Sequence, residues 1–147
     1  EVEQAGIEVH HMTTYVPWAT QWNFYFAKEH TEFQTNPYGR SEGTYSKYAS
    51  LDDRIDGLHY YTTYVKFGLG RASYDSSQEI RNKHLTREEA VSLVRRFDGE
   101  FPIKYFQEFL ECCDISEDDF WSVVDRWRAP HLWQKKGGEW ELKYQVS

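Results

Sequence analysis

Cysteine is almost missing from this chain: Cys112 and Cys113 are the two present, and they are adjacent. Neighbouring residues rarely meet disulfide geometry, and no third cysteine is available. A stapled secreted framework is therefore unsupported, and both thiols are expected to be inert helix residues in a reducing compartment. Positive charge is also in short supply, with 17 Lys and Arg against 24 Asp and Glu and a net charge of −7. That balance argues against a nucleic-acid binder acting through its field, though it leaves room for a local basic pocket. No apolar run approaches a membrane span, so no membrane insertion is expected. The start, Glu1-Val2-Glu3-Gln4, has neither the basic nor the apolar region of a secretion signal. A cytoplasmic location is the expectation. No repeat, nucleophile elbow, zinc signature or kinase loop occurs. The first residues read as mid-protein sequence, which predicts a piece of a longer polypeptide.

What is abundant is aromatic side chain, at 18% of 147 residues: six Trp, eleven Tyr and nine Phe. Many of these rings carry a polar handle, so some belong at a boundary such as a partner surface, a ligand pocket or a second domain. The length suits one domain able to bury its own core.

Periodicity predicts a mainly α fold, with a short strand near the start and a possible edge strand at the end. Ile7 to His11 reads as the strand. Pro17 opens a helix with Trp18, Trp22 and Phe26 at helical spacing through about Glu29. Residues 31–50 are loop-like, with Asn36-Pro37 and Tyr38-Gly39 as turns; so long a loop is usually functional or mobile. Ser50 is the expected N-cap of a helix with Asp52 and Asp53 in its first turn and Leu51, Ile55, Leu58 and Val65 as its stripe, Tyr61 beside them. Phe67-Gly68-Leu69-Gly70 ends it, and residues 72–83 form a helix of little apolar content. Thr86-Arg87-Glu88-Glu89 is a capping box ahead of Ala90, Val91, Val94 and Phe97, with Gly99 as terminator. Pro102 opens a helix carrying Ile103, Phe106, Phe109 and Leu110. Ser116 caps another, with Phe120, Val123, Val124 and Trp127 as its stripe and Pro130 beyond. Trp140 to Tyr144 alternates like an edge strand.

Three constellations are chemically suggestive, and each has a plainer reading. Gly68-Leu69-Gly70-Arg71 lacks the Gly-Lys-Ser/Thr of a nucleotide loop and does not match the dinucleotide pattern. Two glycines, a guanidinium fork and a helix N-terminus nonetheless suit an anion; the alternative is a helix break with Arg71 paired to Asp75. The helix that follows has only Tyr74 and Ile80 to pack. Either surface ion pairs Arg71–Asp75 and Glu79–Lys83 hold it, or Arg71, Asp75, Ser76 and Arg81 face a ligand or another domain. Asp52, Asp56 and His59 are spaced to share a helix face and suit a cation or acid–base work, but Asp52 also serves as a dipole partner, and no metal site is expected. His10, His11, His30, His84 and His131 are scattered and read as structural. The residues alone give no catalytic assignment.

The stretches 42–45 (EGTY), 51–61 (LDDRIDGLHYY), 66–81 (KFGLGRASYDSSQEIR) and 85–102 (LTREEAVSLVRRFDGEFP), with helix 116–128 and Arg128-Ala129-Pro130-His131-Leu132-Trp133, resemble the C-terminal part of the N-acetyl sugar amidotransferase family. The resemblance implies an enzyme of lipopolysaccharide or related surface-glycan synthesis, of the PP-loop ATP-pyrophosphatase type. Such an enzyme adenylylates the acetamido oxygen of a nucleotide-linked N-acetyl sugar, and ammonia from a glutaminase subunit displaces AMP to leave an acetamidino group. ATP with Mg is implied for the full-length enzyme and no cofactor for this chain alone. The family's Ser-Gly-Gly-x-Asp-Ser loop and its cysteine pairs have no counterpart here, so the chain by itself is expected to be inactive. Residues 1–50 then correspond to the end of an upstream nucleotide-binding domain and a long connection, and residues 51–147 to a helical C-terminal domain. Within the matching blocks, Arg71, Asp75 and Arg81 are the expected substrate- or domain-contact residues, with Asp52 and His59 behind them. Two further readings compete: a helical module that docks the glutaminase or forms a homodimer, favoured by Trp121, Trp133 and Trp140, and an aromatic-platform carbohydrate binder.

Overall fold

The strongest local signal in the chain is realised atom for atom. Thr86 Oγ1 accepts from Glu89 N while the Glu89 carboxylate accepts from Thr86 N, closing the capping box that starts α4 (Arg87–Phe97). Its partner along the chain is α3 (Arg71–Arg81), and the two lie against each other, with Ala72 of α3 and Ala90, Val94 and Phe97 of α4 buried. The computed structural model describes residues 4–147; Glu1-Val2-Glu3, read above as the absence of a leader, lies outside them. Among the described residues the fold is mainly α, with six helices and a two-stranded antiparallel sheet near the C-terminus.

The main apolar core lies between α2 (Asp56–Phe67), α5 (Phe106–Cys113) and α6 (Glu117–Arg126). Leu58, Tyr61 and Val65 meet Phe106, Leu110, Phe120 and Val124, with Phe101, Phe109 and Trp121 packed against them. The rings meet edge to face: Phe101 and Phe106 centroids are 4.8 Å apart, and those of Phe106 and Phe120 4.9 Å. Such contacts add about 0.5–1.5 kcal/mol per pair beyond simple area burial. Ser116 caps α6 by accepting from Asp119 N, as its position predicts. Gly68 and Gly99, at φ 73° and 81°, take the left-handed conformation that ends α2 and follows α4.

At the C-terminus, β1 (Trp133–Lys136) pairs antiparallel with β2 (Glu139–Leu142) through Gly137-Gly138. Both glycines have positive φ, as a two-residue hairpin turn requires. The expected edge strand is thus one arm of a hairpin. Its other arm, WQKK, shows no alternation and was not legible. Trp133 is buried, and its indole N–H donates to the Val65 carbonyl at 2.7 Å.

Several boundaries differ from expectation. No strand forms over Ile7 to His11; these residues are exposed, and among the described residues no neighbouring strand offers a ladder. A single 3-10 turn, Met12–Thr14, follows them. Helix α1 (Thr20–His30) begins three residues after Pro17, and the stripe of Trp18, Trp22 and Phe26 faces outward. Helix α2 begins at Asp56 and not at Ser50, whose φ of 51° is non-helical. Asp53 stops the helix from starting earlier by accepting Ile55 N at 2.9 Å in a local turn. Leu51 and Ile55 are consequently exposed. Pro102 does not open α5, which starts at Phe106. The intervening chain turns instead, Ile103 N donating to the Phe101 carbonyl at 3.0 Å and Phe106 N to that of Ile103 at 3.2 Å, with Phe101 against the core and Pro102 against Gly57, where an added Cβ would come within 2.9 Å. The described helices are all too short or too polar to cross a membrane.

Candidate functional site

Helix α3 buries polar groups where a helix normally buries apolar ones. Tyr74 and Ile80, its apparent packing residues, are partly exposed, whereas Arg71, Ala72, Ser76 and Glu79 are buried. The inward face is therefore held by ion pairs and hydrogen bonds, contributed by segments far away in sequence.

Arg71, 6% exposed, is the centre. Its Nη1 donates to Asp56 Oδ2 at 2.5 Å and its Nη2 to Ser50 Oγ at 2.8 Å; its Nε lies 3.8 Å from Asp75 Oδ2. The guanidinium also stands over the Tyr60 ring, 4.3 Å from its centroid. One side chain thus ties the end of the long loop, the first residue of α2 and the body of α3. The Arg71–Asp75 pairing allowed by the plainer reading is present, joined by the stronger bond to Asp56. The companion pair Glu79–Lys83 does not form: Lys83 is left-handed at φ 62°, and Glu79 Oε2 meets His84 Nδ1 at 2.7 Å.

Asp75 in turn accepts from Thr44 Oγ1 at 2.5 Å, and Thr44 is fully buried. Burial pushes the Asp75 carboxyl above its ordinary range, against the downward pull of Thr44 and Arg71. The loop before Thr44 is fastened independently. Arg40 makes a two-pronged bond to Glu100 at 2.6 and 2.7 Å, and Glu100 also accepts Gly43 N at 2.8 Å. The Arg40 bond holds the Glu100 carboxyl below its ordinary range. Residues 31–50 contain no helix or strand, as expected, but their second half is built into the domain.

The start of α3 was one candidate for an anion. Three of its amides are already engaged: Gly70 N and Ser73 N donate to the two oxygens of Asp98, and Ala72 N donates to the Gly43 carbonyl, while Ser73 Oγ donates to Asp98 Oδ2. Asp98, at the C-terminal edge of α4, is the anion that this helix end takes. Gly70 makes room for it, since a Cβ there would lie 2.7 Å from Asp98 Oδ1. The remaining positions lie apart from the Arg71 cluster. Arg81 is exposed on the last turn of α3, Asp52 is exposed ahead of α2, and His59 is exposed with its ring edge-on to Tyr60. Because Asp52 precedes the helix, Asp52, Asp56 and His59 share no helix face.

Beside the buried network lies an open cleft of about 310 Å³. Phe24 and Tyr48, stacked in parallel at 4.3 Å, form one wall; Tyr45, Glu79 and His84 line the rest. A recess of about 20 Å³ behind it, lined by Tyr45, Tyr48, Glu79 and Asp75, lies between the cleft and the network. Burial, reinforced by Glu79 and Asp75, pushes the Tyr48 phenol up to about 12. Tyr45 is raised further by burial, with Asp75 and Glu79 adding to it. Both phenols thus stay protonated donors at neutral pH, and the buried Tyr45 oxygen has no hydrogen-bond partner among the described residues. Sequence reading missed this cleft and the roles of Thr44, Tyr45, Glu79 and Asp98. A loop rich in Tyr and Ser facing a helix with an inward Glu was the available signal.

Among curated proteins nothing matches the chain. The family model described as LPS biosynthesis protein WbpG-like, C-terminal domain, matches residues 42–146, from the turn that binds Glu100 through the hairpin. Those residues carry Thr44, Arg71, Asp75, Glu79 and Asp98, and by this match the chain belongs to the family of WbpG-like lipopolysaccharide biosynthesis proteins, as their C-terminal domain.

Proposed function

We propose that this chain is the C-terminal part of an ATP-dependent amidotransferase that converts the acetamido group of a nucleotide-linked N-acetyl sugar into an acetamidino group. The match to a lipopolysaccharide biosynthesis family over residues 42–146 is the observation that supports the reading. In this reaction the acetamido oxygen bonds to the α-phosphorus of ATP and pyrophosphate departs. Ammonia then adds to the activated carbon, AMP leaves with the oxygen, and a proton is shed from nitrogen. The glycine-flanked start of α3 does not fit the triphosphate, because it is filled by Asp98. ATP and its Mg belong instead to an upstream domain with a Ser-Gly-Gly-x-Asp-Ser loop, to which residues preceding 51 form the connection. The chain supplies the substrate-side wall. Arg71 and Asp75 hold that wall in shape, and Arg81, Asp52 and His59 lie on its outside as domain contacts. A glutaminase subunit delivers the ammonia, and the enzyme works in the cytoplasm, where nucleotide sugars are made.

A polypeptide carrying this chain behind such a loop, given ATP, ammonium and a nucleotide-linked N-acetylhexosamine, is expected to release pyrophosphate and AMP in equal amounts with amidine formation. The 147-residue chain alone is expected to release none. Pyrophosphate release no greater than in a sugar-free control would overturn the reading.

A second reading has its own observation. Trp18, Trp22, Tyr25 and Phe26 are each more than half exposed along α1 and its approach, an aromatic surface of the kind that favours protein contacts. As an interaction module the chain would dock the glutaminase or a second copy of itself. Gel filtration at rising concentration, with and without the glutaminase, is expected to show a complex that Trp22→Ser weakens; elution as a monomer throughout would remove this reading.

A further inference from the structure

The cleft beside α3 has a chemistry that the network around Arg71 does not use. Its wall is a flat aromatic pair, Phe24 on Tyr48. Opposite, Glu79 is 8% exposed and gives one carboxylate oxygen to His84, while among the described residues no donor reaches Oε1. Asp75 lines the recess and is already met by Thr44 and Arg71, so the open carboxylate oxygen facing the cavity is that of Glu79. The cation that lines the cleft is Lys47, which is exposed. An anion such as a phosphate is repelled from the inner end. A neutral amide gains the ring contacts and a hydrogen bond from a protonated phenol. A planar cation keeps the ring contacts, donates to a phenol oxygen where the amide accepted from it, and gains the Glu79 carboxylate through an N–H bond to the open Oε1 at reduced dielectric.

We infer that this cleft seats the reacting acetamido end of the sugar and holds it more tightly as the amidinium than as the amide. The inference rests on the reaction proposed above, in which a neutral planar group becomes a cationic planar group of nearly the same shape. Glu79 and the Phe24–Tyr48 wall are then the residues that favour charge as it develops on nitrogen. The phosphates of the carrier nucleotide lie outward, past Lys47. His84, bonded to Glu79, positions the carboxylate.

The test needs only the 147-residue chain and small probes: acetamidinium chloride, acetamide and ammonium chloride at matched ionic strength, read by NMR shifts of the His84 and Tyr48 rings. Acetamidinium is expected to saturate at a concentration at least about tenfold below acetamide, the equivalent of one 1.4 kcal/mol step. Glu79→Gln is expected to erase that difference and Phe24→Leu to weaken both probes, with the helical circular dichroism retained. Should Glu79→Gln unfold the chain, the ammonium comparison decides. Equal binding of acetamide and acetamidinium, equal binding of ammonium, or no saturable shift would overturn the inference. Pyrophosphate release by the longer polypeptide without selective amidinium binding here would sink this site and leave the proposed reaction standing; the reverse pattern would leave an amidinium site and remove the reaction.

Discussion

Arg71→Ala is expected to destabilise the chain by about 3–5 kcal/mol, the usual loss when one partner of a buried ion pair is removed. Asp56 and Asp75 would be left facing each other across the space it occupied, with side chains only 21% and 27% exposed. Ser50 Oγ would lose its donor and Tyr60 the cation over its ring. At this chain length the cost corresponds to a drop in Tm on the order of 10 °C. Thermal unfolding followed by circular dichroism checks it, and Asp56→Asn in the same chain is expected to recover part of the loss because the two residues share one interaction. The exposed Arg81 serves as the control, with Arg81→Ala expected within about 0.5 kcal/mol of the parent. Equal effects at the two arginines would show that Arg71 does not join the loop to the helices. A fall in activity on changing Arg71 therefore has to be read against Tm before it is assigned to substrate binding.

Phe106→Ala is expected to cost about 3–5 kcal/mol by a different route. The Phe106 ring lies between Phe101 and Phe120 and is 5% exposed, so its removal leaves a cavity bounded by other rings. No charge is stranded, so the loss should be nearly independent of pH, whereas that of Arg71→Ala should shrink in acid as the Asp75 carboxyl, raised by burial, takes up its proton. Urea unfolding at two pH values separates the mechanisms. An unchanged urea midpoint in Phe106→Ala would mean that this aromatic cluster does not carry the core.

The segments that were legible in sequence are those whose local chemistry and packing agree. Thr86 to Phe97 has a reciprocal cap and a helical stripe, and Ser116 to Val124 a serine cap and a stripe, so both could be placed almost to the residue. Ser50 misled because it looks like a cap, yet its hydroxyl is taken by Arg71 from α3, and Asp53 turns the chain locally before the helix can start. Trp18, Trp22 and Phe26 misled differently: their spacing is helical, but a stripe says only that one face is apolar, not that this chain covers it. Arg71 and Asp75 stood out as an unusual pair on a helix with little to bury. Their partners Thr44 and Asp56 were invisible as partners, because long-range pairing leaves no periodic mark. The amide-rich start of α3 suits either an anion or a plain helix break, and no local pattern could reveal that a carboxylate from the end of α4 had already entered it.

The bond from the Trp133 indole to the Val65 carbonyl makes the C-terminal hairpin a structural member of the domain. That oxygen sits in the last turn of α2, where the helix has no amide of its own to offer. The same indole shields Val65, which is 1% exposed. Trimming the chain after Arg128 would therefore uncap a central helix and open the wall of its core, in one cut. The hairpin's tip at Gly137-Gly138, far from that anchor and with open space at both glycines, is the place where the sequence can lengthen without reaching the interior.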